Sequence, residues 1–111
     1  MDGGEQQALT RWLEVIAAQV RGRGPDLTAR QTAILLAVYL RPPPLTVGRM
    51  AVDLGISKPA VTRAVDKLEK LELVRRMPNA EDGRSVILQR TVKGSVFVDE
   101  FAALVGGSVK R

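Results

Sequence analysis

Apolar positions recur with helical spacing over most of this chain. Between residues 6 and 20, Leu9, Trp12, Leu13, Ile16, Ala17 and Val20 fall three or four apart, which predicts a helix with one apolar stripe. RGRGP at 21–25 brings two glycines and a proline, and ends it. A second helix is predicted from Thr28, where TARQ has capping-box form. The Thr28 hydroxyl and the Gln31 amide are placed to satisfy backbone donors that the first turn leaves unpaired. ILLAVYL is apolar on most sides, so this helix reads as the buried centre. RPPP at 41–44 stops it, because successive prolines cannot continue a helix.

Thr46 can cap a short third helix, VGRMAVDL, with Val47, Met50, Ala51 and Leu54 on one face. Gly55 stands where a helix ends in a left-handed conformation. Ser57 then caps a fourth helix, with Pro59 in its first turn, where a missing backbone N–H costs little. After Leu71 the period changes. LVRRM at 73–77 and SVILQ at 85–89 read as strands, joined by the turn-forming PNAEDGR with its tip near Asp82-Gly83. Thr91 caps a last helix carrying Phe97, Phe101 and Leu104 at i, i+4 and i+7, until Gly106-Gly107 end it. The predicted fold is mainly α with a small β-hairpin wing, in the order α-α-α-α-β-β-α.

The third and fourth helices have the form of a helix-turn-helix. Ala51 is small enough for the next helix to approach, Gly55 makes the turn, and Val61 plugs the angle between the two helices. Advancing 100° per residue along 57–72 puts Val61, Ala64, Val65, Leu68 and Leu71 on one side. Pro59, Thr62, Arg63, Asp66 and Lys70 fall opposite, with Lys58 at the margin. A solvated surface is the plain reading of such a face. Its crowding at the helix start is also where a major-groove reader places its base contacts. Thr62 can offer a hydroxyl or a methyl, and Arg63 can fork onto a guanine edge. The preferred reading is a recognition helix for double-stranded DNA.

Charge sharpens this. The chain has 111 residues and a formal charge of +5. Residues 57–93 hold nine basic against five acidic side chains, hence +4 of that +5, so the excess is local. Lys58, Lys67 and Lys70 are candidate phosphate contacts, which position without specifying. Arg84, beside the wing tip, is placed to enter a minor groove, where arginine is drawn by negative potential. Of Arg75 and Arg76, one is expected to meet phosphate while the other blunts a strand edge.

Absent residues exclude much else. With no cysteine and no histidine, disulfides, thiol redox sensing, Cys/His metal sites and His general-base chemistry are ruled out. No cofactor or metal is expected. No catalytic constellation is visible, so an enzyme is not expected. MDGGEQQ is not a signal peptide, and no apolar run approaches the roughly 20 residues of a membrane span. A cytoplasmic, nucleoid-associated protein with no membrane partner is the expectation.

Only four residues are aromatic, so the core must come from Leu, Val, Ile and Ala, as suits helix on helix. The stripe of Leu9, Trp12, Leu13, Ile16 and Val20 would be costly if left bare on so small a chain. With Phe97, Phe101 and Leu104 near the other terminus, it predicts a homodimer. The expected organisation is one winged helix-turn-helix domain over 1–111. Terminal dimerisation helices occupy 6–25 and 91–111, and a DNA-binding core occupies 28–90 with its wing at 73–90.

LTARQTAILLAVYL, LTVGRMAVDLGISKPAVTRAVDKLEKLELVRR, the DGR wing and the LQRTVKG turn together resemble the MarR family of multiple antibiotic resistance regulators. The resemblance covers about residues 9–104. It implies a winged-helix homodimer that binds pseudo-palindromic operators, usually as a repressor. It also implies that Ser57, Lys58, Pro59, Thr62 and Arg63 face the groove, that Arg84 is the wing-tip arginine, and that Asp82 orients it. Many members release DNA when a phenolic or aromatic carboxylate ligand binds between their lobes. Members commonly carry two helices after the wing for dimerisation, where this chain has one. The competing reading is a winged-helix module that binds another protein and no DNA.

Overall fold

A computed structural model describes residues 1–22 and 25–106. Its elements are α1 (Gly3–Val20), α2 (Ala29–Leu40), β1 (Leu45–Thr46), α3 (Val47–Leu54), α4 (Lys58–Lys70), β2 (Val74–Pro78), β3 (Val86–Arg90) and α5 (Val92–Gly106). The chain divides into two compact units. One runs from Leu27 to Val96, and the other joins Met1–Asp26 to the residues from Phe97 onward. The boundary falls inside α5.

The Leu27–Val96 unit is built as the periodicity predicts, with one addition. Thr28 caps α2 with the expected box: its hydroxyl accepts from Gln31 N–H at 3.2 Å, and the Gln31 side chain accepts from Thr28 N–H at 2.9 Å. Thr46 and Ser57 cap α3 and α4 by the hydroxyl alone, which accepts from the N–H groups of Arg49 and Ala60. The addition is β1. Leu45-Thr46 lies extended after the prolines and pairs antiparallel with β3, Leu45 opposite Leu88 and Thr46 opposite Ile87. The sheet therefore has three strands in the order β1-β3-β2, where the sequence pattern predicts a hairpin alone. Two residues are too few to show a period, so pairing partners decided this strand.

Helices α2, α3 and α4 close on a core that includes Ile34, Leu35, Met50, Val61, Val65 and Leu68, each at most 1% exposed. Each such side chain is worth about 1.5–3 kcal/mol relative to exposure. Ala51 and Val61 are both buried, as the helix-turn-helix requires. Gly55 takes φ 66°, and the Ile56 N–H reaches back to the Ala51 carbonyl at 3.1 Å, which closes α3.

A polar knot fastens the end of α4 to the start of α5. Glu72, although not glycine, sits at φ 64°. Its carbonyl accepts from the Thr91 hydroxyl at 2.8 Å, and that same hydroxyl accepts from Gly94 N–H. The Tyr39 hydroxyl donates to the Leu73 carbonyl at 2.8 Å and accepts from Thr91 N–H at 2.9 Å. A Cβ on Gly94 would collide with both the Tyr39 hydroxyl and the Leu73 carbonyl oxygen, so no larger residue fits. Arg90 donates to the Val38 carbonyl at 2.9 Å with its guanidinium over the Tyr39 ring.

In the other unit, α1 starts at Gly3, three residues before the predicted start of the helix. Asp2 and Glu5 form a reciprocal capping box, which carries the helix through Gly3 and Gly4 despite their low propensity. The predicted stop at 21–25 is described only in part: Gly22 is left-handed at φ 79°, while 23–24 lie outside the described residues. Val15, not part of the predicted stripe, is the residue of α1 that is fully buried. In α5, Phe101 is also buried, with Phe97 tilted against it at 6.2 Å between ring centres. Gly107 and the rest of the predicted 91–111 segment beyond Gly106 lie outside the described residues.

Candidate nucleic-acid interface

Helix α4 has two unlike sides. Ala60, Val61, Ala64, Val65 and Leu68 are buried. Ser57, Lys58, Pro59, Thr62, Arg63, Asp66, Lys67 and Lys70 are all exposed. The split follows from the sequence, because only residues on one helical stripe are apolar. Leu71, expected with the buried set, is half-buried at the helix end. The Ser57 oxygen accepts from Ala60 N–H at 3.2 Å, so it caps the helix from the surface that also bears Pro59. Lys58 lays its aliphatic stem against Gly48 at the start of α3, which places its ammonium at the edge between the two helices. Among the described residues, Lys58, Arg63, Lys67, Lys70, Arg75 and Arg84 enter none of the ion pairs. Their charge is therefore uncommitted, and Lys67 and Lys70 also complement the C-terminal end of the helix dipole.

Arg76 behaves differently from its neighbour. Arg75 points away, exposed, as strand alternation requires. Arg76 turns onto α4, where it pairs with Asp66 and Glu69 and donates to the Thr62 carbonyl at 3.1 Å. Of the two arginines, one expected to meet phosphate and the other to blunt a strand edge, Arg76 is the one engaged on α4. Two carboxylates one turn apart on α4 lie within reach of its side chain. Asp66, expected on the open face, is correspondingly engaged.

The wing tip is organised by Asp82. One carboxylate oxygen accepts from the N–H groups of Arg84 at 2.9 Å and Ser85 at 3.0 Å, and the other accepts from the Ser85 hydroxyl at 2.7 Å. Gly83 supplies the left-handed residue at φ 66°. Asp82 thus orients Arg84 through the backbone and not through the guanidinium. These bonds, that from the Ser85 hydroxyl foremost, hold the Asp82 carboxyl below the ordinary aspartate range.

On α1, Leu9, Trp12, Leu13, Ile16 and Val20 are exposed at 38 to 70%. The corresponding α5 residues are not: Phe101 is buried, and Phe97 and Leu104 are half-buried. Of the α5 residues expected to contribute to the dimer surface, Phe101 is covered by the chain itself. Sequence reasoning missed both the Arg76 brace and the Tyr39–Thr91 knot. An acidic pair three apart on a basic helix, followed by Arg75-Arg76, was the available sign of the first.

Among the described residues no helix is long and apolar enough to cross a membrane, and no acidic cluster is arranged to hold a metal ion. The chain resembles solved structures over nearly its whole length. Regulator Tm0710 of Thermotoga maritima is 25% identical, with 93% of this chain and 70% of that one covered at a TM-score of 0.77. YusO of Bacillus subtilis is also 25% identical, over 93% and 72%, at 0.73. S. aureus MepR, in a structure of its DNA complex, is 21% identical over 94% and 80%, at 0.74, a likeness of fold. The MarR family profile matches residues 26–85, more than half of the chain, from just before α2 to the wing tip. By that match, the chain belongs to the MarR family of non-enzymatic, DNA-binding transcription regulators.

Proposed function

We propose that this protein is a sequence-specific, homodimeric repressor that reads a pseudo-palindromic operator, with α4 in the major groove and the wing in the minor groove. The observation that carries the reading is the open side of α4, where Pro59, Thr62 and Arg63 stand exposed at the helix start beside unpaired Lys67 and Lys70. A groove reader needs this arrangement: short polar and forked side chains at the N-terminal turns, cations further along for phosphate. Arg84 on its ordered turn supplies the minor-groove contact. MepR, a protein of similar fold, has been solved in complex with DNA, which supports DNA binding by this fold.

The exposed α1 stripe supports the dimer, since an apolar row of that length on so small a chain is best covered by a second copy. In this reading the helices at 6–25 and 91–111 form its dimerisation part and 28–90 its DNA-binding part. Two α4 helices then meet half-sites about 34 Å apart if successive major grooves are used. Selection of bound fragments from genomic DNA, followed by footprinting, tests both points. Recovered sites should be twofold symmetric with half-sites about one turn apart. Arg63→Ala should cost about 1–3 kcal/mol on the selected site and less on random DNA. Equal losses on both would reduce Arg63 to a phosphate contact. Retardation of no fragment at low salt, with capture of a partner protein, would replace the reading by a protein-interaction module.

A further inference from the structure

The outward side of α4 consists of two parallel ridges of opposite charge. Arg63, Lys67 and Lys70 form one, without ion-pair partners among the described residues. Thr62, Asp66 and Glu69 form the other, and Arg76 lies along it. Its Nη1 donates to Glu69 Oε1 at 2.7 Å, its Nη2 to Asp66 Oδ1 and the Thr62 carbonyl, and its backbone N–H to Glu69 Oε2 at 3.2 Å. Among the described residues these are the ion pairs that join the wing strands to α4. The carboxylates remain in contact with water, with side chains 60% and 37% exposed. On a surface meant for phosphates, two such carboxylates beside the reading residues are a liability.

We infer that Arg76 is a positioning residue for DNA binding that acts by masking charge: it pairs with both Asp66 and Glu69 and offsets part of their negative charge, so that α4 can approach the phosphate backbone. This rests on the reading of α4 as the groove-facing helix. The geometry suits masking better than a purely structural tie. A tie needs one carboxylate, and Glu69 already supplies one through both the backbone and the side chain of Arg76. Asp66 pairs with the same guanidinium and keeps a carboxylate on the open face, its side chain 60% exposed. Repulsion between exposed like charges extends over roughly a Debye length, about 10 Å at 0.1 M salt, so carboxylates on this ridge act on phosphates they do not touch.

The test compares affinity and stability in the full chain. Binding to the selected operator is measured at about 0.1 M salt, with thermal unfolding of each variant alongside. Arg76→Met should weaken binding on the order of tenfold, because two bare carboxylates then face the duplex. Adding Asp66→Asn and Glu69→Gln to that variant should recover most of the affinity without recovering the melting temperature. Arg76→Lys keeps the charge and loses the fork, and should stay close to wild-type affinity while melting lower. A neutralised triple variant that binds no better than Arg76→Met overturns the inference. So does an Arg76→Lys loss equal to that of Arg76→Met. Unchanged binding by Arg76→Met, where the wild type binds, overturns this inference alone. A wild type that binds no DNA overturns the proposed function and this inference with it.

Discussion

On α4 the exposed side carries Pro59, Thr62, Arg63, Lys67 and Lys70; on α1 it carries Leu9, Trp12, Leu13, Ile16 and Val20. Both helices are amphipathic, and both leave a whole side without cover in the single chain. The chemistry left open differs, and so does the kind of surface that could cover it. Cations and hydroxyls keep much of their hydration and gain by exchanging it for phosphate oxygens and base edges. A tryptophan with leucine and isoleucine neighbours gains only by removal from water, which another apolar protein surface provides. Amphipathicity alone therefore says little about function. The composition of the side that the fold does not use says more.

The largest effect should come from the shared requirement, the buried side. Leu68→Ala in α4 removes a fully buried side chain and should cost about 2–5 kcal/mol, read by denaturant unfolding. A loss below 1 kcal/mol would mean that α4 is not anchored as described. Next comes the apolar open side. Trp12→Ala on α1 should weaken self-association by about 2 kcal/mol or more, seen as dissociation in sedimentation equilibrium. If it instead lowered stability equally at every protein concentration, the stripe would serve the chain's own core and the contrast between the helices would fail. The polar open side should respond more gently. Lys67→Ala should weaken binding almost equally on all sequences and reduce the slope of log affinity against log salt by about 1. Loss confined to the selected operator would make Lys67 a base reader.

The smallest effect concerns the wing. The Asp82 carboxyl lies below the ordinary value of 3.8 because its charged form accepts bonds from Ser85 and Arg84. A depressed value in the folded state means that the turn is held at neutral pH, and is lost only as pH falls below 3.8 through the depressed value. The amide signals of Arg84 and Ser85 should therefore titrate together with a midpoint below 3.8. A midpoint at or above 3.8 would break the link between Asp82 and the wing tip.

Much of the local geometry of α3 and α4 was legible beforehand, and the residues explain why. Ala51, Gly55, Ser57 and Val61 lie within eleven positions and act on one another locally, through a helix end, a cap and a close approach, so their spacing already states their geometry. The two sides of α4 follow from a fixed rotation per residue. The Arg76 brace was legible only as an acidic pair on the preceding helix, because spacing alone does not tell which of two adjacent arginines on a strand will lie over it. The burial of Phe101 was not legible for a related reason. Helical spacing shows that residues share a face, but not which neighbour that face meets.

Local order was thus settled by the amino acids in sequence: the helix limits, the caps, the left-handed glycines and the charged side of α4, all governed by interactions spanning a few residues. What only folding in three dimensions decided was partnership. The pairing of Leu45 with Leu88, the Tyr39 hydroxyl between Leu73 and Thr91, and the turning of Arg76 onto Asp66 and Glu69 each join groups on different elements. Such contacts depend on where whole elements come to rest, and that is set by the packing of the core as a unit.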